Sequence, residues 1–375
     1  MKLIVLVIWG LLFTAGCTKN NQNEILIGRY DSMTGNDAAF GVAGNKGIQM
    51  AIDEVNAAGG IKGKKVKMIS LDDQSKSEEA AAMTTRLITQ NHVVAILGGM
   101  ASGRSLAAAP IAQTHKVPFI SYASTNPAVT KVGDYVFRIC FIDPFQGLVV
   151  ARFASENLKA KTAAVLRDVK NDYSVGLADV FVEEFKKTGG KIVADFSYMS
   201  GDVDFKAQLT QIRSLNPDVI FIPGYYSEVG LIAQQARQLG VKSTFIGGDA
   251  RDSDRLYQIG KEAINGGYYI YHYSTESTEP VVVGFIKKFK ALHNNETPEV
   301  LSALGYDAAK VLFAAIERAP DLSGDAIRKE LGKTKDFVGV TGKITLNENR
   351  DAVKSAVVVQ VDKTKRKYIT TINPP

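Results

Sequence analysis

The segment 47–75, GIQMAIDEVNAAGGIKGKKVKMISLDDQS, constrains the fold more than any other stretch of the chain. Ile48, Ala51, Ile52 and Val55 recur at three- and four-residue spacing with Asp53, Glu54 and Asn56 between them, the pattern of an amphipathic helix. Gly59 and Gly60 end that helix, because glycine enters the left-handed C-cap conformation without steric cost. Ile61, Lys62 and Gly63 make a turn. Val66, Met68, Ser70 and Leu71 then read as a strand that ends at Asp72 and Asp73. This is one unit of an α/β fold, and the alternation continues. Strands are predicted at 25–30, 66–71, 93–97, 118–121, 163–166, 192–196, 219–222 and 244–246. Helical patterns lie between them, for example at 78–91, 145–158, 175–187 and 228–239. Such alternation predicts parallel sheets covered by helices on both faces.

A chain of 375 residues has room for about two domains of ~100–200 residues each. The net charge of +6 is spread along the chain apart from a late cluster at 363–367. Nucleic-acid binding would need a basic stripe interleaved with aromatics, and none is present. At the N-terminus, Lys2 precedes an apolar run at 3–13, too short for the ~20 residues that span a bilayer. Thr14, Ala15, Gly16 and Cys17 follow, which resembles a lipoprotein signal cleaved before Cys17 with lipid added to that thiol. Thr14 stands where lipoproteins usually carry Leu, and an ordinary signal peptide is the other reading. Residues 17–23 form a polar tether. The protein is therefore expected outside the cytoplasm, periplasmic and anchored by lipid, or soluble there after ordinary cleavage. Only Cys140 remains after Cys17, so no intramolecular disulfide is expected.

Enzyme motifs are missing. There is no GxSxG, no phosphate loop and no GxGxxG, and His92, His115, His272 and His293 are too scattered for a metal site. No cofactor and no metal are expected. Asp72 and Asp73 point to opposite faces of their strand, which suits a turn or cap better than a catalytic pair.

The helix, double-glycine stop, Lys/Gly turn and aspartate-ended strand of 47–75, with GYDAA at 305–309, closely resemble type I periplasmic binding proteins. By pattern the chain is most similar to the leucine/isoleucine/valine-binding proteins of ABC importers. The resemblance runs from Ile25 to about Asp362. It implies two Rossmann-like lobes with parallel central sheets, joined by three crossing strands that act as a hinge. Lobe 1 would be 24–142 plus 274–346, and lobe 2 would be 143–273 plus 347–375. It further implies a monomer that takes up a free amino acid, branched-chain or otherwise aliphatic, and delivers it to an ABC permease.

Strand ends supply the candidate site. The strand at 93–97 runs into Gly98, Gly99, Met100, Ala101 and Ser102, and a helix follows. Ser102 is placed as a hydroxyl donor or as an N-cap. The strand at 118–121 runs into Tyr122, Ala123, Ser124, Thr125 and Asn126. A carboxylate between these loops would meet free N–H groups and hydroxyls. The resemblance implies that Ser102 and Thr125 give hydroxyls, Ala123 gives backbone groups, and Asp249 faces the ligand ammonium. Phe40, Tyr173 and Tyr225 match its pocket aromatics. Two positions depart from the family: Phe40 replaces a tyrosine, and Asp249 is one methylene shorter than the usual glutamate. Arg104 and Arg251 lie two residues beyond Ser102 and Asp249. Either one in the cleft would favour an acidic ligand; both facing solvent would favour a neutral aliphatic one. A sensor of the same fold, or a binder of an amide or organic acid, is the alternative function.

Overall fold

The computed structural model describes residues 23–363 and 365–374. The expected signal peptide at 1–16, the lipidation at Cys17 and the tether up to residue 22 lie outside the described residues.

The chain opens with β1 (Glu24–Asp31), α1 (Ala38–Ala57), β2 (Lys65–Asp72), α2 (Ser77–Thr89), β3 (Ala95–Gly98), α3 (Ser102–Thr114), β4 (Phe119–Ser121), α4 (Ala128–Lys131) and β5 (Val136–Arg138). These strands form a wholly parallel sheet in the order β2-β1-β3-β4-β5. A second series follows: α5 (Asp143–Arg152), β6 (Thr162–Asp168), α6 (Asp172–Lys187), β7 (Lys191–Tyr198), α7 (Lys206–Leu215), β8 (Val219–Phe221), α8 (Tyr226–Gln238), β9 (Thr244–Gly247), α9 (Asp254–Gly260) and β10 (Tyr268–Tyr271). Then come α10 (Pro280–Leu292), α11 (Val300–Arg318), α12 (Gly324–Gly332), and the short strands β11 (Phe337–Gly339), β12 (Gly342–Leu346) and β13 (Ala352–Val353), which pair antiparallel. Finally β14 (Ala356–Asp362) and β15 (Lys365–Ile372) join the second sheet, in the order β15-β14-β10-β9-β8-β6-β7.

The second sheet keeps the expected parallel centre, β10-β9-β8-β6-β7, and becomes mixed at one edge, where β14 runs antiparallel to β10 and β15 antiparallel to β14. A strand pair that closes through a short turn can only be antiparallel, whereas parallel neighbours need a crossover connection.

Each sheet buries both faces, and the side chains alternate accordingly. In the first, Ile25, Ile27, Leu97, Ile120 and Phe137 pack with α1 and α11, while Ile96, Phe119 and Val136 pack with α2 and α3. In the second, Val165, Phe221, Ile246 and Val358 meet α5 and α6 through Val149, Leu177 and Phe181. Leu166, Ile220 and Ile222 meet α7 and α8 through Leu209, Ile212 and Ile232. Asp72 accepts the backbone N–H groups of Met33, Thr34 and Gln74, and Asp73 accepts from the Ser32 hydroxyl and the Ser75 N–H. Both carboxyls are thus turn-formers.

The GYDAA segment lies on α11, where it fixes that helix against its surroundings. A β-carbon on Gly47 would sit 1.8 Å from the Ser302 carbonyl oxygen, and one on Gly305 would sit 2.7 Å from that of Gly44. Only glycine allows α1 and α11 this approach. Asp307 accepts from the Val340 and Thr341 N–H groups, each at 2.8 Å, and from the Thr341 hydroxyl at 2.6 Å. Gly47→Ala must push the two helices apart, and over-packing of this kind costs about 1–3 kcal/mol. Urea unfolding should show that loss; a wild-type midpoint would mean the helices do not pack this closely.

Candidate functional site

The carboxyl ends of β3, β4, β6, β8 and β9 face one another across the gap between the two sheets, the position where parallel α/β sheets gather ligands. Their loops surround a tightly closed cavity of about 20 Å³. Six of the residues singled out from the sequence line it: Phe40, Ser102, Ala123, Tyr173, Tyr225 and Asp249. Thr125 does not line it but is buried in the same loop as Ala123. Met100, Ala250, Val300 and Leu301 complete the wall, and these four were not anticipated. Val300 and Leu301 open α11, far along the chain from the other loops. Nothing local in the sequence indicates that the first turn of this helix reaches the cleft.

On the first lobe, two loops are tied into one unit. The Ser121 and Ser124 hydroxyls donate to the Gly99 carbonyl at 2.7 and 2.6 Å, and the Asn126 N–H donates to Ser102 Oγ at 3.2 Å. Ser102 is not the N-cap: Ala101 holds that position and Ser102 is the first helical residue. The Thr125 Oγ1 atom is buried without an aligned hydrogen bond among the described residues. It lies beside the Asp143 carboxyl, which burial pushes up to about 7 although the Thr125 hydroxyl acts to lower it.

On the second lobe, Asp249 follows Gly247 and Gly248 at the end of β9. A β-carbon on Gly248 would lie 2.2 Å from Tyr173 Oη, so the loop can pass that ring only as glycine. The Asp249 N–H donates to Gln146 Oε1 at 2.6 Å, and its carboxylate is 2.9 Å from His272 Nε2. His272 stacks on Phe141 with ring centroids 3.9 Å apart. Burial holds its pKa down at about 4, against the raising effect of Asp249. The imidazole is therefore neutral at pH 7, orients the carboxylate with one N–H, and does not cancel its charge.

Aromatic contacts close the cavity from both sides. Phe40 meets Tyr225 and Tyr226 edge-on at 5.7 and 4.8 Å, and Tyr173 stacks on Tyr225 at 5.8 Å. Polar bonds also cross the gap: Tyr226 Oη donates to the Asn36 carbonyl at 2.6 Å, Asn126 Nδ2 to that of Asp172 at 3.1 Å, and the Val300 N–H to Asp252 Oδ2 at 2.5 Å. The lobes are closed upon each other.

Both arginines are buried, and neither lines the cavity beside Asp249. Arg104 faces the cleft, where it lines a neighbouring polar chamber that shares Tyr225 with the cavity, and it pairs there with Asp37 at 2.8 Å and Asp73 at 3.4 Å. Arg251 donates to the Ile222 and Ile246 carbonyls at 2.8 and 2.7 Å. Cys140 is a free, buried thiol whose pKa burial raises to about 12, which makes it inert at neutral pH.

His272 and Asp143 impose opposite pH dependences. The unfolded state takes up the His272 proton near the ordinary 6.5 while the folded state resists it until about 4, so His272 costs stability as pH falls through that range. Asp143 holds its proton up to about 7 when folded, so its contribution is lost as pH rises toward 7. The difference in unfolding free energy between wild type and His272→Gln isolates the first effect. It should shift against wild type by roughly 3 kcal/mol between pH 6.5 and pH 4. A pH-independent difference would mean that the imidazole titrates normally in the folded protein.

The family model for periplasmic binding proteins matches residues 24–366. A Leu/Ile/Val-binding protein of Rhizobium johnstonii is 31% identical over 330 residues, covering 88% of this chain and 89% of the relative. Two solved structures share the fold at higher identity. A leucine-binding protein from Thermotoga maritima has a TM-score of 0.90 at 43% identity, covering 93% of this chain and 99% of that one. The substrate-binding protein of a branched-chain amino acid transporter from Streptococcus pneumoniae, in complex with isoleucine, has a TM-score of 0.89 at 36% identity, covering 94% of this chain and 100% of that one. This chain belongs to the type I periplasmic binding proteins, in their branched-chain amino acid group.

Proposed function

We propose that this protein captures a free branched-chain amino acid between its lobes and delivers it to an ABC permease. The observation that carries the reading is the Asp249 carboxylate, set in an otherwise largely apolar cavity beside a neutral imidazole. An anion in a poorly hydrated site is a strong partner for an ammonium. Ser102, Thr125 and the backbone at Ala123 receive the carboxylate. Phe40, Tyr173, Tyr225, Val300 and Leu301 surround the side chain and exclude water. Neither guanidinium lines the cavity beside Asp249: two carbonyls hold Arg251, and Arg104 faces the neighbouring chamber already paired with Asp37, which weighs against an acidic ligand in that cavity. The isoleucine complex of the Streptococcus pneumoniae relative supports the ligand class.

The family works outside the cytoplasm and is not a family of enzymes. Lipid attachment at Cys17 and a monomeric state belong to the proposal. So does the division into lobes at 24–142 plus 274–346 and 143–273 plus 347–375. In that division we move the last crossing to about residue 354, because β13 pairs with β12. The three crossings act as the hinge, and a ligand that bridges both lobes makes the closed form the stable one.

Asp249→Ala should lose roughly 3–5 kcal/mol of affinity, because a buried ammonium is left unpaired. Calorimetry with leucine, isoleucine and valine measures this, and wild-type affinity in that variant would refute the assignment. Tyr226→Phe removes one bond across the gap and keeps the ring that meets Phe40. It should weaken binding by only about 0.5–1.5 kcal/mol, and small-angle scattering of the ligand-bound protein should still report a closed form.

A further inference from the structure

Arg138 ends β5 and is completely buried, yet it lines neither the cavity nor any surface. A guanidinium is costly to bury, and this one has an unusual set of partners, with Nε in an ion pair but no aligned hydrogen bond among the described residues. Nη1 donates to the Ser124 carbonyl at 2.6 Å, and Nη2 donates to the Asn126 carbonyl at 2.9 Å and to Thr130 Oγ1 at 3.0 Å. Nε lies 2.5 Å from Asp351 Oδ1, and Asp351 also accepts from the Thr130 hydroxyl at 2.8 Å. The two carbonyls held by one planar fork belong to the residues on either side of Thr125. The Thr125 carbonyl between them accepts the Asp143 N–H at 2.9 Å.

We propose that Arg138 is a positioning residue for the ligand carboxylate, holding the backbone on both sides of Thr125 so that the Thr125 N–H stays free for the ligand. The inference rests on the amino-acid-binding reading given above. All described peptide bonds are trans, so in the Ser124–Thr125 peptide the N–H points opposite to the carbonyl that Arg138 holds. The guanidinium polarises that peptide and makes its N–H a better donor. The Thr125 hydroxyl lies beside the Asp143 carboxyl. The N–H is therefore the donor of this residue left for a ligand, and Arg138 fixes the backbone that carries it. Lysine cannot do the same, since an ammonium is a point charge without the rigid fork that spans two carbonyls. Asp351 extends the arrangement to the segment just before the last crossing between the lobes.

Arg138→Lys tests this with three ligands: leucine, leucinamide and alanine. Leucinamide keeps the ammonium and side chain but lacks the carboxylate, and alanine keeps both charged groups but lacks the side chain. Wild type must bind leucine for the test to begin; if it binds no amino acid, the functional reading itself has failed. Given that binding, folded Arg138→Lys should lose at least tenfold in leucine affinity. The leucine/leucinamide ratio should shrink by a similar factor, and the leucine/alanine ratio should stay within about twofold. Unchanged leucine affinity, or equal losses for all three ligands, would overturn the proposal and leave Arg138 a structural residue. Should Arg138→Lys not fold, Asp351→Asn keeps the guanidinium but releases its Nε end. It should show the same selective loss at about threefold, and a folded Asp351→Asn with both ratios unchanged would equally overturn it.

Discussion

A carboxylate buried between two lobes must find compensation, and Asp249 finds little of it within the protein. Its side chain meets the N–H of a neutral imidazole, and its own backbone N–H is held by Gln146. Both partners lie where the chain passes between the sheets: His272 directly after β10, and Gln146 in the first turn of α5. The site is therefore built into the crossing segments. Phe141, stacked under His272, belongs to another of them. Any displacement of these segments moves the group that reads the ligand's positive charge.

Closure is then a balance of modest terms. Edge-on aromatic contacts around Phe40 and hydrogen bonds such as those from Tyr226 to Asn36, Asn126 to Asp172, Val300 to Asp252 and Asp254 to Glu299 cross the gap. Hydrogen bonds of this kind contribute only about 0.5–1.5 kcal/mol each, since water replaces them on opening. An ammonium on Asp249 and a carboxylate on the first-lobe loops would add bonds in both lobes at once, and only in the closed form. Within the first lobe, Gly47 and Gly305 bring α1 against α11, and serine hydroxyls tie the β3 and β4 loops together.

Much of this was legible in the sequence, for physical reasons that can be named. Strands buried on both faces are short apolar runs with glycine or Asx stops, so β1, β2, β6 and β9 stand out. Loops at their carboxyl ends are found by reading on from each strand, which brought Ser102, Ala123, Tyr173, Tyr225 and Asp249 together around one cavity. Long-range pairing left no local trace. The mixed character of the second sheet depends on β14 meeting β10, nearly ninety residues apart, and Val300 and Leu301 enter the cleft only because α11 packs along α1. Arg104 and Arg251 could not be placed because their partners, Asp37 and Asp73 for one and two carbonyls for the other, are set by tertiary contacts. His272 reads as one scattered histidine until β10 and β9 are side by side.

The most direct measurement is a calorimetric titration of the purified protein with leucine, isoleucine and valine, beside glutamate, phenylalanine and 4-methylpentanoate. The account predicts one-to-one binding of the branched-chain amino acids, with 4-methylpentanoate failing because it brings no ammonium to Asp249. Equal binding of 4-methylpentanoate and leucine, a preference for glutamate, or no heat with any amino acid would contradict it.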